Sequence, residues 1–251
     1  MTTPAMIEVE GLGRRFGAKE ALRDLSFQVQ AGDFLGVLGR NGAGKTTLVR
    51  ILTGQLGASE GRARILGLDV ASRPLELRRQ VGVMPEEGAL LEDLGGAQYL
   101  HLAGRIHGIP LAQLETRILE LQDRLQVDFH TSGSIGGYSY GMKKKLAFCA
   151  AILHGPRLLF LDEPFEGLDP SVVHTLMDLL SHLHRQGVTV VLTSHMLNLA
   201  ERLCTRLLLV DEGRLRLEGR PDELLRPDED LEGLFLRTVG GAGKKGGLSW
   251  M

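Results

Sequence analysis

Cysteine is scarce in this chain: there are two in 251 residues, Cys149 and Cys204. Both fall in apolar, helix-like segments and read as buried thiols of a reducing compartment, which excludes a disulfide framework and a thiolate metal site. Charge of one sign is also lacking. The 29 Lys and Arg nearly balance the 31 Asp and Glu, so no basic surface for nucleic acid is expected. Long apolar runs are absent, and none approaches the roughly 20 residues that cross a bilayer. The opening Met1-Thr2-Thr3-Pro4-Ala5-Met6 has neither the basic nor the apolar region of a secretory signal. No internal repeat is visible. These absences point to a cytoplasmic protein that another chain must hold if it works at a membrane. A 43% hydrophobic and 24% charged composition is that of a globular chain, and the length suits one large α/β domain or two small ones.

The most informative stretch is Gly39-Arg40-Asn41-Gly42-Ala43-Gly44-Lys45-Thr46-Thr47. It follows the apolar run Phe34-Leu35-Gly36-Val37-Leu38, a buried strand, and precedes Leu48-Val49-Arg50-Ile51-Leu52, the start of a helix. Strand, glycine-rich loop, then Gly-Lys-Thr opening a helix is the P-loop arrangement. Glycines let backbone N–H groups approach phosphate oxygens without a Cβ in the way, and the helix N-terminus adds unpaired donors. Lys45 supplies a point charge for the β- and γ-phosphates and Thr46 a hydroxyl ligand for Mg²⁺.

A second constellation is Leu158-Leu159-Phe160-Leu161-Asp162-Glu163-Pro164. Two acids follow a buried strand at its C-terminal end, where ligands bind in open α/β sheets. One carboxylate there can hold Mg²⁺ and the second can orient or deprotonate water. Val188 to Thr193 is another buried strand, and it ends in Ser194-His195, so His195 is the one histidine of eight placed to meet a phosphate. Leu25 to Val29 alternates with period two and predicts an antiparallel sheet with one wet face beside a parallel core. Phe16, in a turn-like setting near this sheet, reads either as core or as an aromatic that stacks on adenine, and composition alone favours core.

Between Asp93 and Phe129 the pattern is helical. Leu111, Leu114, Ile118, Leu121 and Leu125 recur at spacings of three and four, one face of an amphipathic helix. The glycine-rich Ser132 to Gly137 ends this region. Ser139 is an N-cap for a helix running to Leu153, and Lys143, Lys144 and Lys145 near its start are either solvated or gathered to receive an anion. Gly167 to Pro170 is a turn before a helix from about Ser171 to Gln186. Leu207–Val210 and Leu215–Glu218 form a strand–turn–strand, and Pro221 opens a short last helix. The tail from Gly240 has flexible-linker composition.

These blocks, in this order, resemble the ATP-binding subunit of an exporter-type ABC transporter, and the resemblance covers roughly Ile7 to Leu225. It implies an α/β P-loop NTPase with a RecA-like, mostly parallel core sheet, an N-terminal antiparallel β-subdomain and an inserted helical subdomain. The expected division is one ATPase domain over 1–225, with core at 1–85 and 156–225, helical insert at about 86–155, and an extension at 226–251. Gly39 to Thr47 looks like Walker A, Leu158 to Asp162 like Walker B, Glu163 like the catalytic carboxylate, Gly167 to Pro170 like the D-loop and His195 like the switch histidine. Phe16 matches the adenine-stacking aromatic, which reverses the reading from composition.

Ser139-Tyr140-Gly141-Met142 falls at the family's signature, with Tyr140 and Met142 departing from it. Ser139 and Gly141 remain, at the positions that meet the γ-phosphate of an opposing subunit. Glu86 stands where a glutamine is usual; it could reach Mg²⁺ but adds negative charge. The resemblance further implies ATP and Mg²⁺ as cofactors, a homodimer or heterodimer with two ATP sites, a transmembrane permease subunit as partner, and a peripheral place on the cytoplasmic face of the membrane. A soluble ABC-type ATPase that remodels a macromolecular complex is the rival. A weakly hydrolysing regulatory module is a third reading, which the presence of Glu163 and His195 opposes.

Overall fold

The computed structural model describes residues 5–86, 90–130 and 133–240. The strand break expected at Pro85 to Gly88 and the glycine-rich run from Ser132 lie partly outside these residues, and the tail beyond 240 lies wholly outside them. The chain runs β1 (Ile7–Phe16), β2 (Lys19–Val29), β3 (Phe34–Leu38), α1 (Lys45–Leu52), β4 (Glu60–Ile65), β5 (Leu68–Asp69), α2 (Pro74–Gln80) and β6 (Val81–Met84). It continues through α3 (Gly96–Ile106), α4 (Leu111–Leu125), α5 (Tyr140–Ile152), β7 (Leu158–Asp162), α6 (Pro170–Arg185), β8 (Thr189–Ser194) and α7 (Leu197–Leu203). It closes with β9 (Arg206–Asp211), β10 (Arg214–Gly219), α8 (Pro221–Leu224) and α9 (Leu231–Val239).

Two sheets organise the molecule. One is antiparallel, in the order β2-β1-β4-β5, and the other has the order β10-β9-β3-β8-β7-β6 with every pair parallel except β9 with β10. All residues of β3, β7 and β8 are buried, as expected of strands covered on both faces. Their side chains alternate between two cores. Leu158 and Phe160 join β1, β2 and α1 on one face, while Leu159 and Leu161 join α3 to α6 on the other. Burying each such side chain stabilises the fold by about 1.5–3 kcal/mol. The register places Leu38 beside Ser194, and Asp162 beside Thr193. The C-terminal ends of β3, β8 and β7 therefore lie side by side, which is what brings the glycine-rich loop, the two acids and His195 together.

The helical region resolves into α3 and α4, which contact each other, and then α5. Leu114, Ile118 and Leu125 of α4 are fully buried and Leu121 packs beside them, but Leu111 is 63% exposed. Leu111 sits at the first residue of α4, before the apolar stripe turns inward, so it drops out of the expected face. Phe16 ends a ten-residue strand rather than sitting in a turn. The helix that Pro221 opens is four residues long and is not the last. In α9, Asp230 caps the N-terminus by accepting from the Gly233 N–H at 2.8 Å, and Leu231 and Leu234 are buried. The cap was present in the sequence, but two buried positions in nine residues give too weak a period to read. Among the described residues no helix is long and apolar enough to cross a membrane.

Candidate functional site

The loop after β3 is shaped by what a side chain cannot fit. A Cβ on Gly39 would lie 2.3 Å from the Val210 carbonyl oxygen, and Gly44 has φ +108° with the Ala21 carbonyl oxygen 2.6 Å from where its Cβ would be. Only glycine meets both demands. Gly44 is the N-cap of α1 and offers no side-chain cap, and the first N–H groups of a helix have no partner within it. Ala43 is buried and its carbonyl accepts from the Gly213 N–H at 3.0 Å, which ties the loop to the β9–β10 turn.

A cavity of about 390 Å³ lies over this loop. It is lined by Asn41, Gly42, Gly44, Lys45, Thr46 and Thr47 from the loop and α1, by Glu86 and Glu163, and by Phe16, Lys19 and Ala21 from the antiparallel sheet. Phe16 is 47% exposed, which removes the core reading, and the Arg14 guanidinium lies 4.6 Å from its ring centroid. Gly39 and Arg40 stand behind the lining and act through their carbonyls, which accept from Lys45 Nζ at 2.9 and 3.4 Å.

Charge is concentrated at one end of the cavity. Lys45 is 6% exposed, and its ammonium lies 3.2 Å from Glu163 Oε1. The other carboxylate oxygen of Glu163 is 3.0 Å from His195 Nδ1 and accepts from the His195 N–H at 3.3 Å. Thr46 donates its hydroxyl to Glu86 Oε2 at 3.2 Å. Asp162 is 2% exposed and accepts a hydrogen bond from the Thr193 hydroxyl. Burial holds its carboxyl above the usual carboxylate range, with hydrogen bonds from Thr193 and Thr46 opposing the shift. Glu163 has φ +47°, left-handed backbone in a residue that is not glycine, a conformation that costs energy and persists where surroundings fix it. Several contacts do so besides Lys45 and His195, among them one from the Glu166 N–H to the Glu163 carbonyl at 3.4 Å. The Glu163 N–H donates to Thr193 Oγ1 at 3.0 Å, its carbonyl accepts from Lys144 Nζ at 3.0 Å, and the neighbouring strand fixes Asp162 in register.

Ser139 and Gly141 are not part of this cavity. Ser139 caps α5, accepting from the Met142 N–H at 3.2 Å, on an exposed surface. Each of the three lysines that follow has a partner of its own, and only Lys144 is buried. Lys143 pairs with Glu92 at 2.6 Å, Lys145 donates to the Leu125 carbonyl at 2.6 Å, and Lys144, 4% exposed, donates to the carbonyls of Glu86 and Glu163. Lys19, Ala21, Thr193 and Lys144 are the site residues that sequence reasoning missed. Thr193 carried a signal, a hydroxyl at the end of a buried strand just before Ser194-His195. For Lys144 the only signal was its place one turn into a capped helix.

The arrangement provides backbone N–H groups, a buried ammonium and a helix N-terminus for an anion of several phosphates, and an exposed aromatic in the cavity lining for a flat ring. Among the described residues no group of three or more His, Cys, Asp or Glu side chains could hold a metal ion. The Thr46 hydroxyl with Glu86 and Asp162 is a set of hard oxygen donors. Such a set suits a divalent cation that keeps water and phosphate oxygens as its remaining ligands, as Mg²⁺ does.

Comparison with known proteins points the same way. The family model described as ABC transporter matches residues 22–166. The daunorubicin resistance ATP-binding protein DrrA3 of Streptomyces coeruleorubidus is 40% identical over 218 residues, 87% of this chain and 69% of that protein. The Nod factor export ATP-binding protein I of Ralstonia nicotianae is 34% identical over 224 residues, 89% of this chain and 70% of that protein. Among solved structures, the ATP-binding subunit of an ABC transporter superposes with a TM-score of 0.87 at 31% identity, over 93% of this chain and 99% of the other. The dimeric bacterial cassette MJ0796 superposes with a TM-score of 0.80 at 21% identity, over 86% and 98%, and so shares the fold.

Proposed function

Because the chain belongs to the ABC transporter family and is an ATP-binding, ATP-hydrolysing subunit of it, we propose that it powers export through a transmembrane permease, working as a dimer on the cytoplasmic face of the membrane. The observation that carries this reading is the convergence of Lys45, Glu163 and His195 within 3.2 Å contacts at the cavity wall. Phosphoryl transfer needs positioning and charge neutralisation more than covalent chemistry. In this reading Lys45 and the loop N–H groups hold the β- and γ-phosphates, Phe16 stacks on the adenine, Glu163 takes the proton of the attacking water, and His195 holds Glu163 in place. Thr46, Asp162 and Glu86 would hold Mg²⁺, which supplies charge neutralisation at the phosphates when bound. Ser139 and Gly141, outside their own chain's cavity, would serve the γ-phosphate of a second subunit. The drug-resistance and export names of the relatives favour this over the soluble remodelling ATPase.

The test is a pull-down of the tagged chain from detergent-solubilised native membranes, with bound proteins identified by mass. A polytopic partner in stoichiometric amount is the expected result. Recovery of soluble proteins alone, with the chain missing from the membrane fraction, would favour the remodelling ATPase instead.

Glu86 sets the basal rate in this reading, since its carboxylate, bonded to the Thr46 hydroxyl, adds negative charge where the γ-phosphate would lie. Glu86→Gln is expected to raise turnover without the permease by about three- to tenfold, the scale of a screened like-charge contact of about 1 kcal/mol. Unchanged steady-state turnover would remove this role.

A further inference from the structure

Among the described residues the Lys144 ammonium donates to backbone carbonyls and to no carboxylate. It is 4% exposed, in the second turn of α5, and donates to two backbone carbonyls, that of Glu86 at 2.9 Å and that of Glu163 at 3.0 Å. A lysine at a helix start opposes the macrodipole, and burial disfavours its charge, so the position is costly. Four carboxylates, those of Glu166, Glu86, Asp162 and Glu163, act against the desolvation that pushes this ammonium below the usual lysine range.

The two carbonyls it holds belong to the two acidic residues of the cavity wall that come from different segments. One follows β6 and the other follows β7, and the strand pairing ends before either, at Met84 and at Asp162. Glu163 also carries the left-handed φ of +47°. The tie from Lys144 is one of the contacts that fix this backbone. Beside it, the Tyr140 ring lies 5.6 Å from Lys144 Nζ and against Gly167, where an added Cβ would sit 2.8 Å from Tyr140 Cε1. One turn of α5 thus grips both the Glu163 carbonyl and the loop that follows it.

We propose that Lys144 is a positioning residue for ATP hydrolysis, fixing the backbones of Glu86 and Glu163 so that their carboxylates keep their places relative to Thr46 and Lys45. Since Ser139 caps the same helix, any movement of α5 by a second subunit is passed through Lys144 to both acids. The inference rests on the proposed roles of Glu163 and Glu86.

Lys144→Met keeps the apolar stem and removes the donors and the charge. Steady-state ATPase of the full-length variant is expected to show kcat lowered by about 10- to 100-fold, the scale of a small misplacement of catalytic groups. KM for ATP should stay within about twofold, because the phosphate-holding loop is untouched. The thermal midpoint should fall in Lys144→Met, since two buried carbonyls and the surrounding carboxylates lose their cation, and should recover in Lys144→Arg. Lys144→Arg, which keeps charge and donors, is expected to recover most of the loss. Retention of more than half of kcat in Lys144→Met would overturn the proposal. So would a loss shared equally by both variants together with a midpoint lowered in both, the mark of a merely structural lysine. Glu163→Gln measured alongside separates the two ideas. If it is inactive while Lys144→Met is active, only the positioning role fails; if it is active, the catalytic reading fails.

Discussion

Glu163→Gln is expected to leave nucleotide binding intact and lower ATP turnover by about 10²–10⁴-fold, the usual effect of losing a positioned general base. The substitution keeps the shape of the side chain and an acceptor oxygen, so the contact with the His195 backbone N–H survives. What it removes is the negative charge facing Lys45 at 3.2 Å and the capacity to take a proton. Among the described residues the Lys45 ammonium then keeps the Gly39 and Arg40 carbonyls and loses its charged partner, which leaves it freer for phosphate, so affinity for ATP should hold or improve. A subunit that binds and does not hydrolyse should accumulate as an ATP-bound dimer, visible in size-exclusion chromatography with ATP and Mg²⁺ and absent with ADP. Retention of more than about a tenth of wild-type turnover would remove Glu163 from the role of base. His195 gives the complementary case. Its ring is 39% exposed and touches the carboxylate rather than the loop, so its loss should act through Glu163 and add little to Glu163→Gln.

Much of this is legible in the sequence. The parallel core was readable because β3, β7 and β8 are short apolar runs ending in chemistry-bearing residues, and strands buried on both faces leave that pattern. The P-loop was readable because its glycines answer steric demands that no other residue meets, as at Gly39 and Gly44. What was not legible depends on contacts between segments far apart in sequence. Lys144 looks like one of three similar lysines, and only the packing of α5 against the ends of β6 and β7 separates the buried one from its neighbours. Composition favours core for Phe16 and is wrong, because whether an aromatic at a strand end is covered depends on which sheet lies beyond it. Lys19 and Ala21 enter the cavity wall only through the antiparallel pairing of β2 with β1. Leu111 shows the converse, a residue with the right period whose place at the start of α4 leaves it 63% exposed. The helix α9 was missed because a cap and two buried leucines do not make a period.

Lys45→Ala should have the other large effect, and on binding rather than on the chemical step. The ammonium is 6% exposed and fixed by the Gly39 carbonyl at 2.9 Å and Glu163 at 3.2 Å, so it meets an anion without first being ordered. Truncating one partner of a buried, hydrogen-bonded charge pair costs about 2–5 kcal/mol, which corresponds to roughly 30- to 4000-fold in affinity. Part of that is the lost attraction to phosphate. The rest comes from Glu163, whose side chain is 6% exposed and would be left with His195 as its remaining partner. An unpaired carboxylate would then face the triphosphate across the cavity. This second part can be isolated. If the exposed charge of Glu163 repels the nucleotide, the double variant Lys45→Ala with Glu163→Gln should bind a fluorescent ATP analogue more tightly than Lys45→Ala alone, although it lacks both groups. Titration of the four proteins of this cycle gives the coupling directly. A double variant no tighter than the single one would mean that Glu163 does not oppose phosphate. Binding by Lys45→Ala within threefold of wild type would mean that the loop N–H groups and the N-terminus of α1 hold the phosphates without Lys45.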